Sequence, residues 1–178
     1  MIVTDGFLET SEFDFLRTEI FSDKFPWIYC SVKSTDNDKN INDFANQQMC
    51  HMHNGNETSD SVKLLLPLLK ILKPLALLKV KSNLQFGTSE IYQSPFHIDM
   101  ENIPNNVCFK TCVYYLNTNN GYTVFEDTNE IVESVENRMV IFDGRRRHAG
   151  TTCTDNKIRA VINLNFIPSN ETEYGEKL

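Results

Sequence analysis

The hydrophobic and polar positions of the N-terminal part follow helical spacing in two places. In "TSEFDFLRTEIF" apolar residues recur every three or four positions behind a Thr-Ser cap, which predicts a helix over about residues 10 to 22. "SDSVKLLLPLLKIL" predicts a second amphipathic helix, capped by Ser59 or Asp60 and ended by Pro74. Neither helix carries a charge pattern that indicates catalysis, so both are expected to support a sheet.

The rest of the N-terminal region is expected to be largely irregular. "KFPWIYCSV" predicts a strand from Trp27, and the polar segment 34–60 is typical of a long loop or lid. Residues 1–75 are therefore interpreted as helical support and lid, and 169–178 as a tail, within a single domain of 178 residues.

From residue 76 to 168 the pattern changes to short alternating runs separated by turn residues. "TNNGY" at 118–122 carries the Asn-Gly pair of a tight connection. Many short strands after helices predict an α+β chain whose core is a β-sandwich or barrel, with a jelly roll as first choice. The predicted strands are "LLKVKSNLQF", "PFHIDM", "CFKTCVYYLN", "YTVFED", "NEIVESVE", "RMVIFDG", "RRHAGTT" and "IRAVINLNF".

Composition narrows the classes of function. The net charge of −7 and the pI of about 5.1 argue against extended binding to nucleic acid or to an anionic membrane. No segment has the length of uninterrupted apolar sequence that a membrane span needs, and the N-terminus does not resemble a secretory signal. A soluble, cytoplasmic protein is expected, and its five cysteines are expected to be reduced thiols, with Cys108, Cys112 and Cys153 as small core residues.

Three residues of the strand region have the chemistry of metal ligands. His97 and Asp99 are two positions apart, so in an extended strand they would project from one face. His148 follows late in the strand series. Two histidines and one carboxylate on a β scaffold match the facial triad of non-heme Fe(II) oxygenases, which leaves three coordination positions open.

The last predicted strand adds a candidate anion site. In "IRAVINLNF" one face carries Arg159, Val161, Asn163 and Asn165, whereas the alternate residues are all apolar and belong against a core. A guanidinium on a face that points into a barrel indicates an anionic ligand, and its planar fork suits a carboxylate.

These segments together resemble the Fe(II)/2-oxoglutarate-dependent dioxygenases. "FHIDM", "KTCVYYLNTNNGYTVFED" and "VIFDGRRRHAGTT…RAVINLNF" are similar to the prolyl-hydroxylase-like branch and to small oxygenases encoded by marine phages. The resemblance covers about residues 75 to 168, and "KFPWIY" is also similar to the phage group. It implies a double-stranded β-helix and a hydroxylase that uses Fe(II), 2-oxoglutarate and O₂. The similarity to the phage group implies a phage-encoded enzyme that acts in the host cell.

The same resemblance implies roles for individual residues. His97, Asp99 and His148 would bind the iron, and Arg159 would bind the far carboxylate of 2-oxoglutarate, helped by Tyr115 and with Asn163 nearby. The substrate would be a protein or peptide residue, such as a prolyl residue, or a small molecule. Prolyl hydroxylases carry a tyrosine where this chain has Gln85, which weakens the inference to proline.

Three alternatives stay open at this stage. "CHMHNGN" places Cys50, His51 and His53 close together in the sequence. The segment is interpreted as a metal site, as part of a lid that contacts the substrate, or as an exposed polar loop. The arginines of "GRRRHAG", 145–147, form a solvated basic turn or hold an acidic substrate. The whole chain could also be a non-catalytic jelly-roll binding module, or a zinc-dependent cupin-like hydrolase or isomerase, which would have no use for Arg159.

Overall fold

The computed structural model describes residues 1–30 and 47–169, and in these ranges the fold consists of two antiparallel sheets with short helices on one side. The helices are α1 (Thr10–Ile20) and α2 (Leu66–Leu72), and a 3-10 helix (Asp60–Leu65) leads into α2. The strands in chain order are β1 (Ile2–Thr4), β2 (Ile28–Cys30), β3 (Gln48–Asn54), β4 (Pro74–Phe86), β5 (Lys110–Tyr115), β6 (Asn119–Phe125), β7 (Ile131–Ser134), β8 (Met139–Asp143), β9 (His148–Gly150) and β10 (Ile158–Pro168).

The two sheets form a jelly roll, which confirms the predicted fold class. The larger sheet has the strand order β1-β8-β5-β10-β4-β3-β2, and the smaller sheet has the order β7-β6-β9. Apolar residues of both sheets meet in one cluster, which includes Val113 and Val161 from the larger sheet and Phe125 and Val132 from the smaller one. The sheets therefore face each other, as in other double-layered β folds.

The two faces of β10 divide as the sequence predicts. Ala160, Ile162, Leu164 and Phe166 are buried in the main core, together with residues of α1 and α2. The alternate residues point between the sheets and line a cavity. The period of two in this strand thus separates a core face from a polar interior face.

The second predicted helix is divided at its proline. Ser59 accepts a hydrogen bond from the backbone N–H of Ser61, as expected of a cap, but residues 60–65 form a 3-10 helix and the α-helix begins at Leu66. Pro67 lies in the first turn of α2, where its missing N–H costs nothing.

The prediction of a loop over residues 34–60 is wrong for residues 48–54. This segment is β3, which pairs with β2 on one side and with β4 on the other. His51 and His53 lie on the inward face of β3 and are buried, where serine hydroxyls satisfy their ring nitrogens. The sequence predicts a loop here because a half-buried strand is expected to carry apolar residues at these inward positions. Residues 34–46 of the predicted lid and 170–178 of the predicted tail lie outside the described residues.

Two further local predictions are wrong. "TNNGY" is predicted to be a tight turn, but its residues from Asn119 onward belong to β6. The register with β7 is irregular between Asn119 and Tyr122, where the side-chain oxygen of Asn119 accepts the backbone N–H of Gly121. "PFHIDM" is not a regular strand: only His97 forms a bridge, and its partner is His148.

The cysteines differ from the sequence expectation as well. Cys30 and Cys50 form a disulfide, since the pairing of β2 with β3 brings their Cα atoms to 6.6 Å. Cys108 is exposed and lies outside the strands, whereas Cys112 and Cys153 are buried as predicted. In the described part of the chain, none of the helices has the length and apolar character needed to cross a membrane.

Candidate active site

The three predicted metal ligands converge at one end of the cavity between the sheets. His148 begins β9, and its backbone exchanges two hydrogen bonds of 3.0 Å with the backbone of His97, which fixes the two residues side by side. Asp99 follows two residues later and its side chain turns to the same point. One donor atom from each residue lies within 4.8 Å of the other two.

Backbone carbonyls set the tautomer of both histidines. Nδ1 of His97 lies 3.0 Å from the carbonyl oxygen of Pro95, and Nδ1 of His148 lies 3.2 Å from that of Arg146. Because a carbonyl oxygen only accepts, Nδ1 carries the proton in each neutral ring, and Nε2 carries a lone pair. The Nε2 atoms of His97 and His148 lie 3.5 and 4.0 Å from Oδ1 of Asp99.

The electrostatics of the triad suit a cation. Burial acts to raise the pKa of Asp99, but His97 and His148 in their protonated forms, the first by a hydrogen bond and both by charge, together with Lys79 outweigh burial and hold that pKa below its usual range. Burial lowers the pKa of His148, although Asp99 opposes the shift. When both rings are neutral, the lone pairs of the two Nε2 atoms and of the Asp99 carboxylate point to the same small volume. They repel one another there unless a divalent ion lies between them. The donor set therefore fits the Fe(II) that the sequence predicts.

A residue of β10 orients the carboxylate. The side-chain amide of Asn165 donates to Oδ2 of Asp99 at 3.2 Å, and its own oxygen accepts from the hydroxyl of Thr111 at 2.9 Å. Oδ1 of Asp99 is thereby directed toward the histidines. The sequence placed Asn165 on the interior face but gave no sign of this role, which depends on contact between distant segments.

Arg159 lies in the same cavity, away from the triad. Its guanidinium is 3% exposed and donates to Ser134 Oγ at 2.8 Å, Thr123 Oγ1 at 3.2 Å and Gln85 Oε1 at 3.3 Å. Burial lowers its pKa, yet it forms no ion pair with a carboxylate among the described residues. A buried cation held only by neutral groups is costly unless an anion binds beside it.

Tyr115 and Asn163 occupy different positions relative to the cavity. Tyr115 is buried behind the lining, where burial raises its pKa and its hydroxyl donates to Thr123 at 2.8 Å. Thr123 is the residue that lines the cavity there, and it links Tyr115 to Arg159. Asn163 lines the cavity directly.

Three buried polar atoms at the cavity have no hydrogen-bond partner among the described residues: Asn83 Oδ1, Gln85 Nε2 and Asn163 Oδ1. Buried polar groups are nearly always satisfied, so their presence on one wall indicates a site for a polar ligand or ordered water. The cavity itself has a volume of about 170 Å³, which suits a small molecule.

The wall formed by β4 was missed by the sequence reasoning. Lys79, Lys81, Asn83 and Gln85 alternate with residues that point away and all line the cavity, in register with Asn165, Asn163, Val161 and Arg159 of β10. The polar alternation in "KVKSNLQ" is a signal that could have identified this wall, because a central strand rarely carries polar residues at four successive inward positions.

The competing cluster at residues 50–53 does not form a metal site. His51 and His53 both contact Ser61 Oγ, at 2.6 and 2.9 Å, and His53 also contacts Ser82 Oγ at 2.8 Å. Cys50 lies on the opposite face of β3 and is paired with Cys30. In residues 1–30 and 47–169, the triad is the one group of three such ligands.

The arginines at 145–147 organise loops around the triad. Arg146 pairs with Asp127 at 2.9 Å, Arg147 pairs with Glu126 at 2.6 Å, and Arg145 donates to the carbonyl of Pro104 at 2.7 Å. Arg147 also donates to the carbonyl of Phe96, next to His97, at 2.7 Å. None of the three lines the cavity, which agrees with a structured basic turn rather than a substrate-binding one.

Comparison with solved structures gives the fold class of the chain. A prolyl hydroxylase from Trichoplax adhaerens, in complex with a hypoxia-inducible-factor peptide, has a TM-score of 0.60 at 16% identity, over 99% of this chain and 87% of that one. The viral collagen prolyl hydroxylase of Paramecium Bursaria Chlorella virus-1 has a TM-score of 0.54 at 13% identity, over 94% and 90% of the chains.

A third similar structure performs a different reaction. The non-heme alpha-ketoglutarate-dependent epimerase SnoN of nogalamycin biosynthesis has a TM-score of 0.66 at 11% identity, over 94% of this chain and 78% of that one. No protein-family model and no curated protein sequence matches the chain. The chain therefore has the fold of the 2-oxoglutarate-Fe(II) oxygenases, and its function is argued from its own site.

Proposed function

We propose that this protein is an Fe(II)- and 2-oxoglutarate-dependent oxygenase that hydroxylates its substrate and releases succinate and CO₂. The observation that carries the proposal is the combination, in one cavity, of a His-Asp-His triad with a buried arginine that forms no ion pair within the described residues. A triad without the arginine would fit many metal enzymes, whereas a buried arginine without an ion-pair partner calls for an anionic ligand in the same cavity.

His97, Asp99 and His148 would hold the iron. Bound there, Fe(II) supplies the activation of O₂ that carbon hydroxylation requires. The protein contributes the geometry: Pro95 and Arg146 fix the ring tautomers through their carbonyls, and Asn165 fixes the carboxylate. These outer contacts set the direction of all three donor atoms before the metal binds.

Arg159 would bind the far carboxylate of 2-oxoglutarate. Its guanidinium can donate bidentately to a carboxylate, and the hydroxyl of Thr123 lies beside it as a further donor. Tyr115 would act through Thr123, which it orients, and Asn163 would contact the cosubstrate between Arg159 and the metal. Arg159 is buried, which strengthens each charge-assisted contact that it makes.

A protein or peptide residue, for example a prolyl residue, is the first substrate class to test, with small molecules as the second. The similar structures include prolyl hydroxylases as well as an epimerase, so the fold supports both classes. Gln85 lies beside Arg159 where prolyl hydroxylases carry tyrosine, which is the main argument against proline.

Anaerobic binding of Fe(II) and 2-oxoglutarate tests the proposal. Chelation of the metal by the cosubstrate gives a weak visible charge-transfer band, and we expect it in the wild type and not in His148→Ala. Succinate release in air, across peptides, amino acids and nucleotides, then measures turnover. His51→Ala is the matched control, because His51 is buried but remote from the triad, and it should retain the band.

Three results would contradict the assignment. The wild type could lack the band, His148→Ala could keep it, or His51→Ala could lose it in a folded protein. Binding of the metal without the band would instead favour a module that holds metal without this cosubstrate.

A further inference from the structure

Two lysines line the cavity at the end that holds the triad. Lys79 and Lys81 are successive inward residues of β4, and they pair with Asn165 and Asn163 of β10. Asn165 is the residue that contacts Asp99, so Lys79 lies at the metal end of the wall. Among the described residues, no hydrogen bond joins either ammonium group to another residue, although both lysines interact electrostatically with Asp99.

Arg159 lies at the other end of the same wall. It pairs with Gln85, six residues along β4 from Lys79, so the two cationic side chains leave the wall at different points. The charges of Lys79 and Asp99 act on Lys81, whereas Arg159 is held by the neutral groups of Ser134, Thr123 and Gln85. The cavity thus has two separate cationic centres, and one carboxylate group cannot bind to both.

The charge of the occupied cavity is unbalanced. Its lining contains Lys79, Lys81 and Arg159 as cations and Asp99 as the one carboxylate, which leaves two positive charges. Under the proposed function a divalent metal and a doubly charged 2-oxoglutarate cancel each other, so the two positive charges remain. This excess is local, since the whole chain carries −7. Burial and the neighbouring Lys79 lower the pKa of Lys81, and the charge of Asp99 opposes this shift without cancelling it.

Lys79 also lines a second, more open cavity. Its volume is about 730 Å³. Met52, Leu78 and Met100 provide its apolar wall, and Met100 directly follows Asp99. Glu57 also lines it, so an anionic group would be accepted at the lysine end and repelled at the Glu57 end. Lys79 therefore lies between the triad cavity and a larger space with both apolar and polar walls, which can hold the part of a substrate that does not react.

The geometry points to a substrate that carries a carboxylate or phosphate group close to the reacting carbon, with Lys79 and Lys81 binding that group and the second cavity holding the remainder. This inference rests on the proposed function for the position of the reacting carbon. The anion site itself rests on the two lysines alone. A charged group fixed beside the triad would both select the substrate and orient one C–H bond.

Anion binding to the Zn(II)-loaded protein tests this inference. The protein is first saturated with 2-oxoglutarate, so that Arg159 is occupied, and inorganic phosphate or acetate is then titrated while the 13Cε signals of labelled lysines are followed. We expect the Lys79 and Lys81 signals to shift, and the tighter of the two anions identifies the preferred group. Lys79→Met or Lys81→Met should weaken binding at least fivefold. Lys70→Met, which removes an exposed charge on α2, should leave it unchanged.

The outcomes separate this inference from the proposed function. If Lys79→Met and Lys81→Met bind both anions as the wild type does, or if the wild type binds neither, the lysine site is wrong. If these substitutions instead weaken 2-oxoglutarate binding, the lysines belong to the cosubstrate and the inference fails. If the wild type does not bind 2-oxoglutarate at all, the proposed function fails, and the same titration without 2-oxoglutarate still decides whether the lysines bind anions.

Discussion

The side-chain amide of Asn165 donates a hydrogen bond to Oδ2 of Asp99, with 3.2 Å between nitrogen and oxygen. The contact joins the middle of β10 to a segment 66 residues earlier that has no regular strand structure of its own. It leaves Oδ1 of Asp99 to face both histidines, so a residue outside the triad determines how the triad presents its carboxylate.

Asn165→Ala is expected to weaken metal binding without removing a ligand. Loss of a group that orients a metal ligand typically costs about 10- to 100-fold in affinity, and we expect the lower part of this range because Asp99 keeps its contact with His97. Competition with a chromogenic chelator for Zn(II) measures the change. Asn105→Ala, at an exposed position, is the control; equal Zn(II) affinity in the two variants would refute the role of Asn165.

Arg159→Met is expected to raise the dissociation constant for 2-oxoglutarate about 10- to 100-fold, which corresponds to about 1.5–3 kcal/mol for a hydrogen-bonded charge. Zn(II) affinity should stay unchanged, since Arg159 does not contact the triad. Calorimetric titration of the Zn(II)-loaded protein gives both values. Arg17→Met removes an equal charge from a partly exposed site on α1, outside the cavity lining, and should bind 2-oxoglutarate normally; normal binding by Arg159→Met as well would exclude Arg159 from the cosubstrate site.

Gly121→Ala is expected to displace the side chain of Arg159. A Cβ atom at residue 121 would lie 2.6 Å from Cδ of Arg159 and 2.7 Å from the carbonyl oxygen of Thr152, so both the side chain and the backbone would have to move. Overpacking of this kind costs about 1–3 kcal/mol, and displacement of Arg159 should also weaken 2-oxoglutarate binding severalfold.

Urea unfolding and calorimetry measure these two effects of Gly121→Ala separately. Gly6→Ala is a useful comparison: a Cβ there meets no atom within 4 Å, so any cost comes from its positive φ of 61° and stays far from Arg159. A Gly121→Ala variant with wild-type stability and wild-type 2-oxoglutarate affinity would show that neither the fold nor the position of Arg159 depends on a glycine at residue 121.

The buried His53 is expected to make the fold sensitive to mild acid. Burial, and then the neighbouring His51, lower its folded-state pKa from 6.5 to about 4. The unfolded chain therefore takes up the proton at a higher pH than the folded protein. The free energy of unfolding is unaffected by the titration of His53 above about pH 6.5 and decreases as the pH falls from 6.5 toward 4. At pH 5 the loss is about 2 kcal/mol relative to pH 7.5.

Urea unfolding at pH 7.5 and pH 5 measures the difference, and His53→Gln should reduce it. The glutamine can still contact Ser82 but does not titrate, so the comparison isolates the proton. If the wild type and His53→Gln lose the same stability between the two pH values, His53 does not control the acid response.

The pattern along the chain determined the jelly roll, α1 and the two faces of β10, because each depends on local periodicity. A strand that alternates Arg159, Val161 and Asn163 with Ala160, Ile162 and Leu164 can bury only one of its faces in an apolar core. The resemblance of these segments to 2-oxoglutarate dioxygenases, rather than a local period, predicted that the triad and the arginine share one cavity.

Only the tertiary structure decided which residues support those side chains. Asn165 on Asp99, Thr123 between Tyr115 and Arg159, and Gly121 beneath Arg159 are contacts between segments far apart in sequence, and no local period encodes them. The same holds for β3, whose buried histidines are satisfied by Ser61 and Ser82 and so look like loop residues in the sequence. Burial of a polar group depends on the partner that meets it, and that partner is determined by the fold rather than by the neighbouring residues.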